Sequence, residues 1–99
     1  MKMRKKNIKG LMRQAQMMQE QLQRQMHESR VEATSGGGAV HVVMDGSKKM
    51  HSIEIDPDAV DPEDVEMLQD LVLAAVNEAG RKVDEMMSSR VSSLTGGIF

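Results

Sequence analysis

Cysteine, tryptophan and tyrosine are absent from this chain of 99 residues, and its single aromatic side chain is Phe99. Without cysteine there can be no disulfide, no thiolate nucleophile and no cysteine-based metal site. With Phe99 as the one aromatic side chain there is no platform on which successive single-stranded bases could stack. The core must be aliphatic, with some of the 11 methionines filling irregular gaps. No apolar run approaches the length of a membrane span. The basic N-terminus is not followed by the apolar stretch of roughly 7–15 residues that a secretory signal needs, so a cytoplasmic protein is expected. The length suits one domain with one modest core.

The formal net charge of −2 conceals an asymmetry. Residues 1–30 carry eight basic groups (Lys2, Arg4, Lys5, Lys6, Lys9, Arg13, Arg24, Arg30) against Glu20 and Glu28, a balance of +6. Residues 31–99 carry five basic and thirteen acidic groups, a balance of −8. A basic end on an acidic body points to a polyanion as partner, set against the plainer reading of a solvated terminus.

From about Asn7 to Arg30 the pattern is that of one long helix. Ile8, Leu11, Ala15, Met18 and Leu22 follow a 3-4-3-4 spacing, a heptad seam with its two inner positions filled. Such a helix would be about 35 Å long, more than the sheet of so small a domain can cover. A second copy of the chain is therefore expected against the seam, with part of it packed on the chain's own second helix.

The period then changes to two. Val31 and Ala33 alternate with polar residues, Gly36-Gly37-Gly38 form a turn, and Val40, Val42 and Met44 alternate with His41, Val43 and Asp45. Asp45-Gly46-Ser47-Lys48 has the composition of a two-residue hairpin with Gly46 in a type II′ turn. That register sets Asp45 opposite Lys48, Val42 opposite His51 and Val40 opposite Ile53. It puts Val40, Val42, Ile53 and Ile55 on one face. Asp61 and Pro62 are expected to cap and open a second helix ending near Ser89 or Arg90. Its apolar stripe is Val65, Leu68, Val72, Ala75, Ala79, Val83 and Met86. The expected fold is α+β in the order α-β-β-β-α, a three-stranded antiparallel meander flanked by two long helices. A single domain spans 1–99, with residues 1–6 a mobile basic arm and 91–99 a mobile tail.

No motif here carries catalysis. The Gly36-Gly37-Gly38 run lacks the Gly-Lys-Ser/Thr and the following helix of a phosphate loop. His41 and His51 point to opposite faces in the expected register and His27 lies on a helix, so no metal site is expected. No serine or carboxylate is placed beside a histidine by a recognisable motif, so no general base is expected either. The acidic cluster Asp56, Asp58, Asp61, Glu63, Asp64 and Glu66 lacks calcium-loop spacing and is interrupted by Pro57 and Pro62. No enzyme activity and no cofactor are expected.

The basic cluster remains. Lys2, Lys5, Lys6, Lys9 and Arg13 could reach phosphates from one helix end, a sequence-independent contact that weakens with salt. RNA is a variant that charge alone leaves open. A coiled-coil adaptor recruiting another protein through the methionine-rich seam is the alternative from a different class. A basic helix on an anionic membrane is a weaker one.

Several segments resemble the YbaB/EbfC family of bacterial nucleoid-associated proteins. They are Leu11-Met12-Arg13-Gln14-Ala15-Gln16-Met17-Met18-Gln19, Val42-Val43-Met44-Asp45-Gly46 and Ile53-Glu54-Ile55-Asp56-Pro57, then Glu66-Met67-Leu68-Gln69-Asp70-Leu71-Val72 and Ala74-Ala75-Val76-Asn77-Glu78-Ala79. The resemblance implies a tweezers-like homodimer in the nucleoid that binds DNA with little sequence preference and affects nucleoid organisation or expression. By residue type it implies DNA contacts at Lys5, Lys6, Lys9 and Arg13, and more weakly at Arg81, Lys82 and Arg90 on the second helix. Lys2 and Arg4 join the expected DNA-binding residues as cations of the same basic N-terminus. Many relatives begin with a Gly-rich segment where this chain has Met1-Lys2-Met3-Arg4-Lys5-Lys6.

Overall fold

The computed structural model describes the backbone of residues 2–94 and the side chains of residues 8–92. The expected order is found: helix α1 (Lys2–Glu28), strands β1 (Arg30–Ser35), β2 (Val40–Asp45) and β3 (Met50–Ile55), and helix α2 (Val65–Leu94). The three strands form one antiparallel sheet in the order β1-β2-β3. The molecule is elongated, 75 × 27 × 16 Å, because the two helices are far longer than the sheet they flank.

β-branched residues at alternate positions build a sheet with two unlike faces. The cross-strand rows Val31–Met44–Met50, Ala33–Val42–Ile53 and Ser35–Val40–Ile55 lie on the inner face. Helix α2 lies against this face over β1 and β2 and buries Ala33, Val40, Val42 and Met44 with its own Ala75, Ala79 and Val83. The small Ala75 and Ala79 let the helix approach the sheet closely. Ser35 Oγ donates to Leu71 O, pinning the first strand to the helix. The outer face carries Glu32, His41 and Glu54, where His41 sits 3.6 Å from Glu32 and 3.9 Å from Glu54.

The three glycines turn the chain from β1 to β2 as expected, all with positive φ. A Cβ on Gly36 would sit 2.9 Å from a Leu71 methyl group, so the turn also requires a bare backbone there.

Several boundaries differ from expectation. Helix α1 starts at Lys2 rather than near Asn7, so positions 2–6 form its first turns. Helix α2 starts at Val65, not at Pro62. Asp64 Oδ1 accepts from Met67 N at 3.2 Å and caps it, while Asp61 accepts from Glu63 N at 2.9 Å in the preceding turn. An acceptor three residues before a free helical N–H is the stronger cap. Val65 is consequently exposed and not part of the buried stripe. The second helix runs on to Leu94, past the expected end at Ser89 or Arg90. The tail expected at 91–99 is thus helical to Leu94, and residues 95–99 lie outside the described residues, as does Met1.

The β2–β3 hairpin is also shifted. Val40 pairs with Ile55 and Val42 with Ile53, with an irregularity at Val43/Met44. Lys48 N donates to Asp45 O and Asp45 N to Lys49 O, closing a three-residue loop in which Lys48 takes φ 66°. Gly46 has no positive φ, so the turn is not type II′. The reason lies in Asp45, whose Oδ1 accepts from Ser47 N at 2.8 Å and Lys49 N at 3.0 Å and sets the wider loop. The shift is by two residues from Val40 to Val43, so Ile53 and Ile55 keep their face, and by one at Met44, where the irregularity brings Met50 onto the inner face.

Candidate nucleic-acid interface

With α1 helical from Lys2, the positions of Lys2, Lys5, Lys6, Lys9 and Arg13 fall within a stripe about 100° wide along its first half. The seam of Ile8, Leu11, Ala15, Met18 and Leu22 runs along nearly the opposite side, about 155° away. Arg4 does not join the stripe, because it lies in line with Leu11 and Met18 on the seam side. The side chains of Lys2, Arg4, Lys5 and Lys6 lie outside the described ones. Those of Lys9 and Arg13 are exposed, and neither forms an ion pair among the described residues.

The helix is an arm attached at one end. Every described side chain of α1 before Met26 is exposed, and the seam is bare, with Leu11 at 63% and Leu22 at 49% exposure. The expected packing of this seam on α2 within the chain is not found among the described residues. Helix α2 is already used by the sheet, and α1 leaves the sheet from its last turn.

That turn is firmly held. A helix end leaves its last carbonyls without intrahelical partners. Here Ser29 donates to Gln25 O from both N and Oγ, at 3.0 and 2.7 Å. Gly46 N donates to Met26 O at 2.8 Å, and Arg30 Nη1 donates to His27 O and to Ser29 O. A Cβ on Gly46 would lie 2.7 Å from Met26 O, so only glycine allows this approach of hairpin to helix. Ser47 Oγ lies 3.3 Å from His27 Nδ1.

Asp45 organises the hairpin that receives the helix. It is only 1% exposed, and its Oδ2 lies 2.9 Å from His51 Nε2. That hydrogen bond, with those from Lys49 and Ser47, holds the carboxyl down to about 2 against the opposing effect of burial. The structure therefore does place a carboxylate beside a histidine, contrary to the sequence expectation. The shifted register brings it there, and the carboxylate's other oxygen is spent on the turn. The sequence signal for this anchor was Asp-Gly-Ser, an aspartate poised to accept from backbone N–H two residues on. It was legible as a turn but not as the seat of α1.

The cations of α2 are differently placed. Arg81 forks onto Glu78 at 2.7–3.2 Å and reaches Glu85 at 3.0 Å. Glu78 is lowered and Arg81 raised from their ordinary values, each chiefly by the hydrogen bonds between them. Lys82 Nζ donates to Glu32 O at 2.7 Å, and Arg90 Nη2 to Ser29 Oγ at 3.0 Å. All three thus have a partner within the chain. Lys48, expected opposite Asp45 in the hairpin, instead pairs with Asp84 at 2.9 Å. No group of three or more histidine and acidic side chains able to hold a metal occurs among the described residues. No described helix is long and apolar enough to cross a membrane.

A second exposed feature lies beside β3. Helix α2 leaves the inner face of this edge strand uncovered, with Ile53 at 47% and Leu73 at 60% exposure. Ile55, Leu68, Gln69, Val72, Leu73 and Val76 line an open, almost wholly apolar groove of about 420 Å³ there.

Comparison with known proteins agrees with this architecture. The chain is 56% identical over 95 residues to a nucleoid-associated protein of Acetivibrio thermocellus, covering 93% of this chain and 84% of that one. It is 48% identical over 95 residues to one from Chloroflexus aurantiacus, covering 93% and 95%. An uncharacterized protein from Helicobacter pylori, solved by crystallography, superposes with a TM-score of 0.74 at 25% identity, over 90% of this chain and 94% of that one. A protein-family model described as the YbaB/EbfC DNA-binding family matches residues 3–98. With this match over nearly its whole length, the chain belongs to the YbaB/EbfC DNA-binding family.

Proposed function

We propose that this protein is a homodimeric, non-enzymatic nucleoid-associated protein that grips duplex DNA through phosphate contacts along the basic face of α1, with little sequence preference. The observation that carries the reading is the stripe of Lys2, Lys5, Lys6, Lys9 and Arg13 on a helix that stands clear of the acidic body. Point charges on flexible stems suit phosphates. Base readout would need forked or amide side chains held in place, and Arg13 on the exposed arm is not so held.

The dimer is supported by the groove between α2 and β3. A second copy related by a two-fold axis would cover Ile53, Ile55 and Leu73 with the same surface and close the exposed edge of β3. Each large apolar side chain fully withdrawn from water contributes about 1.5–3 kcal/mol. Two copies would present two basic arms to one duplex, and the nucleoid is the corresponding location. Arg81, Lys82 and Arg90 would each have to leave an intramolecular partner to reach DNA, so the contact is assigned to α1.

The test is a gel-shift titration across salt with random and defined duplexes, with competing RNA present. If five cations per arm meet phosphates, the logarithm of the affinity falls against log salt with a slope of about −4 to −5 per arm. Binding that ignores ionic strength would refute phosphate contact. Changing Lys5, Lys6 and Lys9 together to Glu should abolish binding and leave the dimer intact, and loss of the dimer would mean the surface is misassigned. The exposed, methionine-bearing seam favours the adaptor as the second reading. A stoichiometric protein partner retained after nuclease treatment would support it.

A further inference from the structure

We propose that the apolar seam of α1 is a second self-association surface, pairing antiparallel with the α1 seam of a copy from another dimer. The seam is bare along its whole described length, and the hydrogen bonds that join its helix to the body among the described residues come from its last turn. The groove beside β3 is a distinct surface, lined by β3 and α2 residues and by none of α1.

The residues themselves select both partner and direction. In an antiparallel pair the two inner heptad positions face each other across the seam. Aligning the seam with itself sets Leu11 against Leu22 of the second copy and Ala15 against Met18 of the second copy, each contact occurring twice. Small then meets large, as a filled core requires. A parallel pair would instead set Ala15 on Ala15 and Met18 on Met18, leaving one thin layer and one crowded one.

Charge agrees with packing. The seam is flanked by Met12, Gln14, Gln19 and Gln21, which bring no charge to the contact. A parallel pair would lay the two basic halves side by side, like against like. An antiparallel pair separates them and brings Glu28 of each helix, whose position borders the seam, level with the basic N-terminal turns of the other. Because the basic stripe lies nearly opposite the seam, it still faces outward from both sides of the pair. Two duplexes can then be held on opposite sides of one helical pair. The pairing stands on α1 alone, while this bridging consequence rests on the proposed DNA-binding reading.

A seam of five apolar positions is short, so the pairing is weak between free molecules. It strengthens where dimers are crowded along DNA and the effective concentration is high.

The native chain has no cysteine, so introduced thiols report one contact each. Full-length protein carrying Ala15→Cys is mixed with protein carrying Met18→Cys and oxidised. The expected product is a disulfide between the two different chains, in species larger than the dimer by sedimentation, with little coupling of either variant to itself. Self-coupling of each variant would overturn the direction. Coupling confined to species no larger than the dimer would overturn the claim that separate dimers are joined, and no coupling at all would overturn the pairing.

Leu11→Glu and Leu22→Lys provide the complementary test. Each alone should lose the higher assembly, and their mixture should restore it, because each substituted position meets the other across the antiparallel seam. Failure of the mixture to restore it would overturn the register. With DNA present, the single variants should still shift one duplex in a gel but no longer co-sediment two labelled duplexes. Loss of the gel shift itself would count against the DNA-binding reading instead, leaving the disulfide result to decide the pairing.

Discussion

Asp45 shows how much a single residue can hold. Its carboxylate is nearly inaccessible yet fully partnered, by His51 on one oxygen and two backbone N–H groups on the other. Its pKa is lowered from 3.8 to about 2, so the folded state binds this proton less readily than the unfolded chain. The stabilisation is therefore present above pH 3.8 and is lost as pH falls from there through about 2. Asp45→Asn should flatten that part of the acid-unfolding curve, read by circular dichroism against pH, and should lower stability at neutral pH. An unchanged acid limb would mean the carboxylate does not carry the charge assigned to it. The aspartate was visible in sequence as a turn residue. Its burial and its histidine were not, because both depend on the shifted strand pairing and on the irregularity at Val43/Met44 that leaves His51 unpaired in the ladder.

At the scale of elements, α1 and its seat are the informative pair. The heptad spacing made the helix legible. Its start at Lys2 was not, since a basic run of lysines reads equally as an arm or as helix. This boundary changes the site, because only a helix from Lys2 gathers five cations on one face. The seat depends on Gly46, where a methyl group would meet the Met26 carbonyl at 2.7 Å. Gly46→Ala should cost about 1–3 kcal/mol, as overpacking does. It should raise hydrogen exchange at the Met26–Ser29 junction before the sheet core. Exchange that rises first in β2 would place the strain elsewhere. Gly10, by contrast, has open space around its Cβ position within α1. Gly10→Ala should stabilise the arm by about 0.5–1 kcal/mol through helix propensity. The readout is a higher helical signal on warming, and no gain would mean the arm is not a helix in its own right.

For the whole molecule, the arithmetic of surfaces points beyond one chain. Among the described residues only seven hydrophobic side chains are fully buried, while β3 and the outer side of α2 leave Ile53, Ile55, Met67 and Leu73 exposed. A core so small rarely suffices alone, and association is the common remedy. Leu73→Glu should therefore dissociate the dimer in sedimentation and lower its melting temperature together. A variant that remains dimeric and equally stable would remove the groove as the interface. The same substitution should weaken DNA binding, since two linked arms bind more tightly than one.

Order of elements, the apolar face of the sheet, the glycine turn and the separation of charge were all determined by the sequence. Each depends on local periodicity or composition, which a chain carries without its fold. The tertiary structure decided which strand residues meet, where the buried aspartate finds its partners, and that Arg81, Lys82 and Arg90 are held within the chain. It also decided that the described seam of α1 finds no cover within its own chain. Those outcomes depend on contacts between residues far apart in sequence, where one geometry must satisfy the turn, the helix end and the core at once.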